Sequence, residues 1–195
     1  MILMSTNINQ SLAPLLQELS TFSKGNPNYD NVVRTVALNA LADVKTRIHQ
    51  DGKASDNTDI GKYSTTPIYV SAKENPGKSF GRPIGKTGRS KFASGEKKGQ
   101  DHASRYFDKG YNEFKTAIGR NQIGKVNLSL SGQLDTQLTV IGTQSGYGLG
   151  WPNDEMFERA GHLEKKYGKK IWALSEEEKQ AAQKTAQLLI KNAFS

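Results

Sequence analysis

Apolar and small polar residues alternate between Val126 and Ile141, and this alternation constrains the fold more than any other feature of the sequence. The apolar positions are Val126, Leu128, Leu130, Leu134, Leu138 and Val140. Successive side chains of a strand point to opposite faces, so a period of two predicts strands with one buried face. Ser131-Gly132 interrupts the alternation, which predicts a turn between two strands.

Two helical patterns precede this segment. The first is short and runs from Asn9 or Ser11 to about Leu19. The second begins at Asp30 and ends at Gly52, with apolar residues at spacings of three and four: Val33, Val36, Ala37, Ala40, Leu41, Val44 and Ile48. Such a stripe predicts a helix face that packs in the core.

Two further helical patterns follow the alternating segment. Asn153 caps a helix that Gly168 ends, and Ser175 forms a capping box with Glu178 at the start of the terminal helix. The residues 169–174 between them predict a short strand or an extended link. Helices on both sides of a few short strands predict an α+β fold.

An ordered set of motifs spans the region from the aromatic segment to the last predicted strand. Its residues are Tyr106, Tyr111, Phe114, Lys115, Gly119 and Arg120, then Val126, Asn127, Leu128, Leu130, Gly132 and Leu134, then Gly150 and Trp151. This order resembles the tail-completion or neck family of head-to-tail joining proteins of tailed bacteriophages, over about two fifths of the chain. Ser131 departs from the usual Thr of the family, and Leu134 from a common Met.

The resemblance implies a small antiparallel sheet packed against the N- and C-terminal helices, with a long Gly-rich basic arm or extended hairpin. The chain, 1–195, would be a single joining-protein domain with the arm inserted at about 53–124. The implied function is a structural virion protein that forms a homo-oligomeric ring in the head-tail connector, or neck, and joins the portal to the tail. Its partners would be its own copies and the portal, connector and tail proteins, in a virion assembled in the host cytoplasm. A position as tail terminator stays open beside the neck position.

Residues 72–110 have the composition expected of such an arm. They contain seven glycines and two prolines, and ten Lys and Arg against four Asp and Glu. A segment so poor in aliphatic residues buries little apolar surface, and a solvated loop is therefore one interpretation. The other is an arm that orders against an acidic neighbour, either a protein or DNA in the channel. The predicted partner-binding residues are Lys78, Arg82, Lys86, Arg89 and Lys91 in the arm, and Tyr147 and Trp151 as core or interface anchors.

One enzyme-like motif lies inside the arm. Residues 72–79 read AKENPGKS and match a permissive phosphate-loop pattern. A phosphate loop needs a helix after its Ser or Thr, whose N-terminus faces the phosphate. Here Gly81, Pro83 and Gly85 follow at once and do not propagate a helix. His49, His102 and His162 are isolated and lack metal-site spacing. The sequence therefore predicts no enzyme activity and no catalytic, cofactor-binding or metal site.

Composition supports an assembly component over a compact enzyme. The hydrophobic fraction is 35% and the mean hydropathy is −0.65. Absence of cysteine excludes disulfides and fits a reducing cytoplasm. No stretch approaches the ~20 apolar residues of a membrane span, so we expect a soluble protein without a membrane partner.

The alternative function is a basic nucleic-acid-binding accessory protein. The net charge of +8 and the isoelectric point near 9.5 favour it. Tyr106, Phe107 and Tyr111 lie close to basic residues in the sequence, where they could stack on exposed bases.

Overall fold

The described part of the computed structural model covers residues 6–7, 27–71, 89–91, 94–119, 125–129, 132–143 and 146–194. The chain divides into two compact units. The terminal unit comprises Met1–Ile60 and Asn127–Ser195, and the inserted unit comprises Gly61–Val126. The predicted short helix from Asn9 or Ser11 to Leu19 lies outside the described residues.

Helices and strands alternate irregularly along the chain. In chain order they are β1 Thr6–Asn7, α1 Pro27–His49, β2 Ile68–Ser71, β3 Arg89–Lys91, β4 Asp101–Phe107, α2 Gly110–Ala117, α3 Gln133–Gln137, β5 Thr139–Thr143, β6 Gly146–Gly150, α4 Asp154–Tyr167 and α5 Glu176–Phe194. No helix within these described ranges is both long and apolar enough to cross a lipid bilayer.

The terminal unit is a small antiparallel sheet flanked by helices. Its strand order is β1-β6-β5, and Val140 of β5 lies opposite Leu149 of β6. Helix α1 packs on β5 and β6 and also on α5. The predicted α+β fold, with a small antiparallel sheet against the N- and C-terminal helices, is therefore confirmed.

Helix α1 buries the predicted apolar stripe. Val36, Val44 and Ile48 are fully buried in this unit. On α5 the buried residues include Ala182 and Ala186, whose small side chains permit close approach of a neighbouring helix. The stripe read from the spacing is thus the face on which the core forms.

The strand prediction is wrong for residues 126–129 and 133–137. The described residues 125–129 form no strand, and Leu128 has a φ of 50°, which a strand does not tolerate. Residues 133–137 form the short helix α3 instead, after Gly132 with a φ of 80°. Leu134 and Leu138 are four residues apart, a spacing that suits a strand face and a helix face equally. Among the described residues from 126 to 141, a strand begins at Thr139.

The C-terminal predictions hold at the level of individual hydrogen bonds. The Asn153 side chain accepts a bond of 2.8 Å from the Glu155 amide, and Gly168 ends α4 with a φ of 64°. The Ser175 amide donates to the Glu178 carboxylate at 2.7 Å, and the Glu178 amide donates to the Ser175 hydroxyl at 3.2 Å. This reciprocal pair is a capping box. Of the two alternatives for residues 169–174, the strand is not formed, and the segment is a link with bends at Lys169, Trp172 and Ala173.

A buried ion pair joins the end of α1 to the start of α5. Arg47 Nε donates to Glu178 Oε1 at 2.7 Å, and the two side chains are only 7% and 8% exposed. The remaining guanidinium nitrogens donate to the carbonyl oxygens of Lys53, Ile171 and Ala173. One side chain thus ties together two helix ends and two connecting segments.

We expect Arg47→Met to lower the free energy of unfolding of the terminal unit by about 3–5 kcal/mol, because it leaves the Glu178 carboxylate buried without its counter-charge. Denaturant unfolding monitored by tryptophan fluorescence measures this, since both tryptophans lie in the terminal unit. The matched control is Glu176→Ala, which removes the exposed pair with Lys179 and should cost less than about 1 kcal/mol. Equal losses in the two variants would contradict the assigned role of Arg47.

Candidate functional site

The positive charge of the protein is concentrated in the inserted unit. Residues 61–126 contain fourteen Lys and Arg against five Asp and Glu, a net charge of +9. The whole chain carries +8, so the terminal unit carries −1. A local excess of this size attracts anions at long range. The inserted unit is therefore the part of the molecule best suited to bind an acidic partner.

The sheet of the inserted unit has one face covered by its helix. The strand order is β2-β4-β3, and both pairings are antiparallel. Phe107 at the end of β4 is 1% exposed and meets Phe114 of α2 edge to face, with ring centroids 5.3 Å apart. Ile68 lies opposite Phe107 and is partly buried. This face is the core side of the sheet.

Residues of the aromatic motif build that core. The ring of Tyr111 lies 5.3 Å from Tyr63 and 5.6 Å from Phe114, measured between centroids. Lys115 is 1% exposed, with its Nζ 5.5 Å from the centre of the Tyr63 ring, a cation–π contact. The motif residues Tyr111, Phe114 and Lys115 thus pack in the core of the inserted unit. Phe107 is too buried to stack on a base.

The opposite face of the sheet carries two aromatic rings, of which one is exposed and the other partly exposed. Tyr69 of β2 and Tyr106 of β4 are cross-strand partners, with centroids 4.8 Å apart. Tyr69 is 61% exposed. The Tyr106 hydroxyl donates to the Asp108 carboxylate at 3.4 Å, and the pKa of Tyr106 is raised by desolvation and by the charge of Asp108. Tyr69 and Tyr106 thus form an aromatic pair at the surface of the described part of the basic unit.

Of the five predicted basic residues of this unit, the structure describes the backbones of two. Lys78, Arg82 and Lys86 lie outside the described residues, as do residues 72–79 of the phosphate-loop pattern. Arg89 and Lys91 lie in β3, where their backbones pair with Ala103 and Asp101 of β4. In the turn before β4, Lys97 and Lys98 are exposed between two glycines of positive φ, Gly95 and Gly99.

Tyr147 and Trp151 lie in the terminal unit. The Tyr147 hydroxyl donates to both carboxylate oxygens of Asp30, at 2.8 and 2.9 Å, and so connects β6 to the first turn of α1. Trp151 is 4% exposed; its indole Nε1 donates to the Leu134 carbonyl at 2.9 Å, and its ring meets Trp172 edge to face at 4.9 Å. The structure thus places Trp151 in the core and Tyr147 at its margin, while a partner contact by either residue stays a prediction.

The residues with metal-ligating side chains do not cluster in the described part of the chain. No three of its His, Asp and Glu residues come close enough together to hold a metal ion. His49 Nδ1 donates to the Asn127 carbonyl at 2.8 Å, and its Nε2 lies 3.8 Å from Asp135. His49 therefore belongs to the contact between α1 and the segment before α3.

Comparison with known proteins adds no assignment, because no family model, curated protein or solved structure matches the chain. Tyr69 was not among the site residues predicted from the sequence. Its signal was present, since Ile68, Tyr69 and Val70 form a short strand pattern with the aromatic residue on its own face. The sequence does not show that β2 pairs with β4, and this pairing brings Tyr106 beside Tyr69.

Gly110 begins α2 at a point where the backbone of residues 64–66 approaches it closely. Its φ is +66°, and a Cβ there would overlap the carbonyl oxygen of Thr66 and neighbouring backbone atoms. Gly119 has nearly the same φ, +67°, but a Cβ there would meet nothing within 4 Å. Both glycines have the positive φ, but only Gly110 has atoms close enough to overlap a Cβ. Substitutions at the two positions therefore distinguish the cost of backbone strain from the cost of steric overlap.

We expect Gly110→Ala to destabilise the inserted unit by about 2–5 kcal/mol, since it combines left-handed strain with a clash against backbone. Gly119→Ala is the matched control and should cost only the strain, about 1–2 kcal/mol. Amide hydrogen exchange in β2 and α2 measures both effects. Equal protection in the two variants would rule out the close approach as the reason for glycine at position 110.

A second prediction concerns the titration of Tyr147. The hydrogen bond to Asp30 raises the pKa of Tyr147 above its ordinary value. The stabilising contribution of this contact is therefore complete below the pKa of an unfolded tyrosine and is lost as the pH rises through the folded value. Asp30→Asn should lower the pKa of Tyr147, as NMR titration of the tyrosine ring carbons would show. Asp108→Asn is the control, because it should shift Tyr106 and leave Tyr147 unchanged.

Proposed function

We propose that the protein is a structural virion protein of a tailed bacteriophage, which forms a ring in the head-tail connector and completes the junction between portal and tail. The observation that carries this proposal is a small antiparallel sheet against which the first long helix packs, with the C-terminal helix packed on that first helix. That arrangement is the one implied by the resemblance to neck and tail-completion proteins. A second compact unit with a large charge excess supports it, because an adaptor needs surfaces for two kinds of neighbour.

Ring formation would use surfaces of the terminal unit in heterologous contacts, in which one patch of a copy meets a different patch of the next. Leu38 on α1 and Leu188 on α5 are 47% and 63% exposed. Each lies roughly two and a half to three turns from the Arg47–Glu178 junction. Large apolar side chains exposed on two packed helices are suited to contact between copies.

The inserted unit would meet the neighbour outside the ring. Its net charge of +9 favours an acidic surface of a portal, connector or tail protein, and DNA in the channel is the alternative acidic neighbour. The predicted contacts in this unit are Lys78, Arg82, Lys86, Arg89 and Lys91. Because ordering such a segment costs entropy, its contacts should be numerous and individually weak.

The copy number of the protein in purified particles tests the ring. Quantitative mass spectrometry against the major capsid protein should give a value on the order of six or twelve per particle, as closed cyclic symmetry requires. Absence from the particles would refute the joining role. The basic nucleic-acid-binding accessory function would then be the better proposal.

Charge reversal at lysines of the inserted unit tests whether its basic arm contacts the neighbouring protein. The triple variant Lys78→Glu, Lys86→Glu and Lys91→Glu lowers the net charge of the inserted unit from +9 to +3. We expect it to fold and to form rings but to leave heads and tails unjoined, as seen by electron microscopy of particles. The control reverses three exposed lysines of the terminal unit, Lys165, Lys166 and Lys184, with the same change in total charge. Normal infectious particles from the arm variant would refute the assignment.

A further inference from the structure

The face of the inserted unit's sheet opposite α2 has the features of a base-stacking surface. We propose that Tyr69 and Tyr106 stack on the bases of single-stranded nucleic acid, while exposed lysines of the same unit bind its phosphates. The site lies on β2 and β4 and does not depend on the joining role. Its failure would leave the copy number in particles unaffected, so the two proposals are tested separately.

The strand geometry separates this pair from the core. Tyr106 and Phe107 are consecutive in β4, so their side chains lie on opposite faces of the sheet. Phe107 is buried against Phe114 of α2, which identifies the covered face. Tyr69, opposite Tyr106 in the register, keeps 61% of its surface exposed. Both rings therefore belong to the face that α2 does not cover.

The arrangement of the rings suits stacking with more than one base. Their centroids are 4.8 Å apart and their planes are inclined by 46°, so the pair presents two differently oriented π-faces. Every base has a π-face, and contacts of this kind are tolerant of sequence. In a duplex those faces are covered by neighbouring base pairs, so the pair should favour single strands.

The charge of the inserted unit suits a phosphate backbone. Fourteen Lys and Arg stand against five Asp and Glu in residues 61–126. Lys97 and Lys98 are exposed in the turn that leads into β4, and Lys109 is exposed just after it. Asp108 lies at the hydroxyl end of Tyr106 and disfavours phosphate there. We therefore expect bases at the rings and phosphates nearer the lysines.

An acidic protein surface would satisfy the charge but would not account for the tyrosine pair. Aromatic rings exposed beside basic residues are the recurring composition of sites for single-stranded nucleic acid. The contribution of the rings, rather than the presence of binding, is therefore the quantity that decides between the two partners.

The test is a fluorescence anisotropy titration of the full chain with labelled oligothymidylate at several salt concentrations. Tyr69→Thr removes the ring and keeps a residue that favours strands, so it should fold. We expect its affinity to fall by about 5- to 150-fold, the loss of one stacked base. Tyr69→Phe should bind like the unchanged protein. Gln180→Ala, which shortens an exposed side chain of the terminal unit, is the matched control and should have no effect.

Salt dependence separates stacking from charge. Tyr69→Thr should leave the slope of log affinity against log salt unchanged, because stacking releases no counterions. The double variant Lys97→Gln and Lys98→Gln should make the slope shallower by about 1.4, at roughly 0.7 for each lost phosphate contact on a single strand. Amide hydrogen exchange of β2 and β4 in each variant verifies that the sheet remains folded.

Three outcomes would overturn the proposal: equal affinity of Tyr69→Thr and the unchanged protein, tighter binding of a duplex than of single strands, or binding of labelled polyglutamate as tight as that of oligothymidylate. The last result would identify an acidic protein surface as the partner. Oligouridylate distinguishes the two sources of single strands. Affinities within a few-fold of each other support a site that does not read the sugar, and clearly tighter binding of oligouridylate supports RNA as the ligand.

Discussion

The buried contact between Arg47 and Glu178 is the interaction on which the terminal unit depends. It lies where the end of α1 meets the start of α5, and the same guanidinium satisfies three carbonyl oxygens of the connecting segments. Glu178 also accepts a hydrogen bond from the Ser175 amide, so one carboxylate serves both the helix cap and the ion pair. This polar network fixes the position of α5 relative to α1 at their joined ends. The two helices can therefore pack closely through the small side chains of Ala182 and Ala186.

The second organising constraint is the separation of charge between the two units. The terminal unit carries −1 and the inserted unit +9, so self-repulsion is confined to residues 61–126. Within that unit an aromatic core of Tyr63, Phe107, Tyr111 and Phe114 packs a short helix on the sheet. This small aromatic core fixes α2 against the sheet within the basic unit. The proposed joining and nucleic-acid contacts both use that combination.

Sequence patterns were reliable where the local chemistry left one solution. The Ser175–Glu178 capping box, the Asn153 cap and the Gly168 terminus are each contained within a few residues, and all three are present as predicted. The alternation from Val126 failed, because Leu134 and Leu138 fit a period of two and a helical turn equally well. Gly132 then admits the left-handed conformation that starts α3. Tertiary contacts decided between helix and strand at residues 133–137. One of them is the hydrogen bond from the Trp151 indole to the Leu134 carbonyl.

The sequence by itself determined the α+β class, the amphipathic face of α1, the C-terminal caps and the concentration of positive charge, since each follows from residue type and spacing. Only the tertiary structure decided which aromatic residues are available for binding. Tyr106 and Phe107 are neighbours with similar side chains, yet one lies on the open face and the other in the core, because a strand alternates and α2 covers one side. Tyr69 joined the candidate site through a strand pairing across 37 residues of sequence, a relation that no local pattern contains.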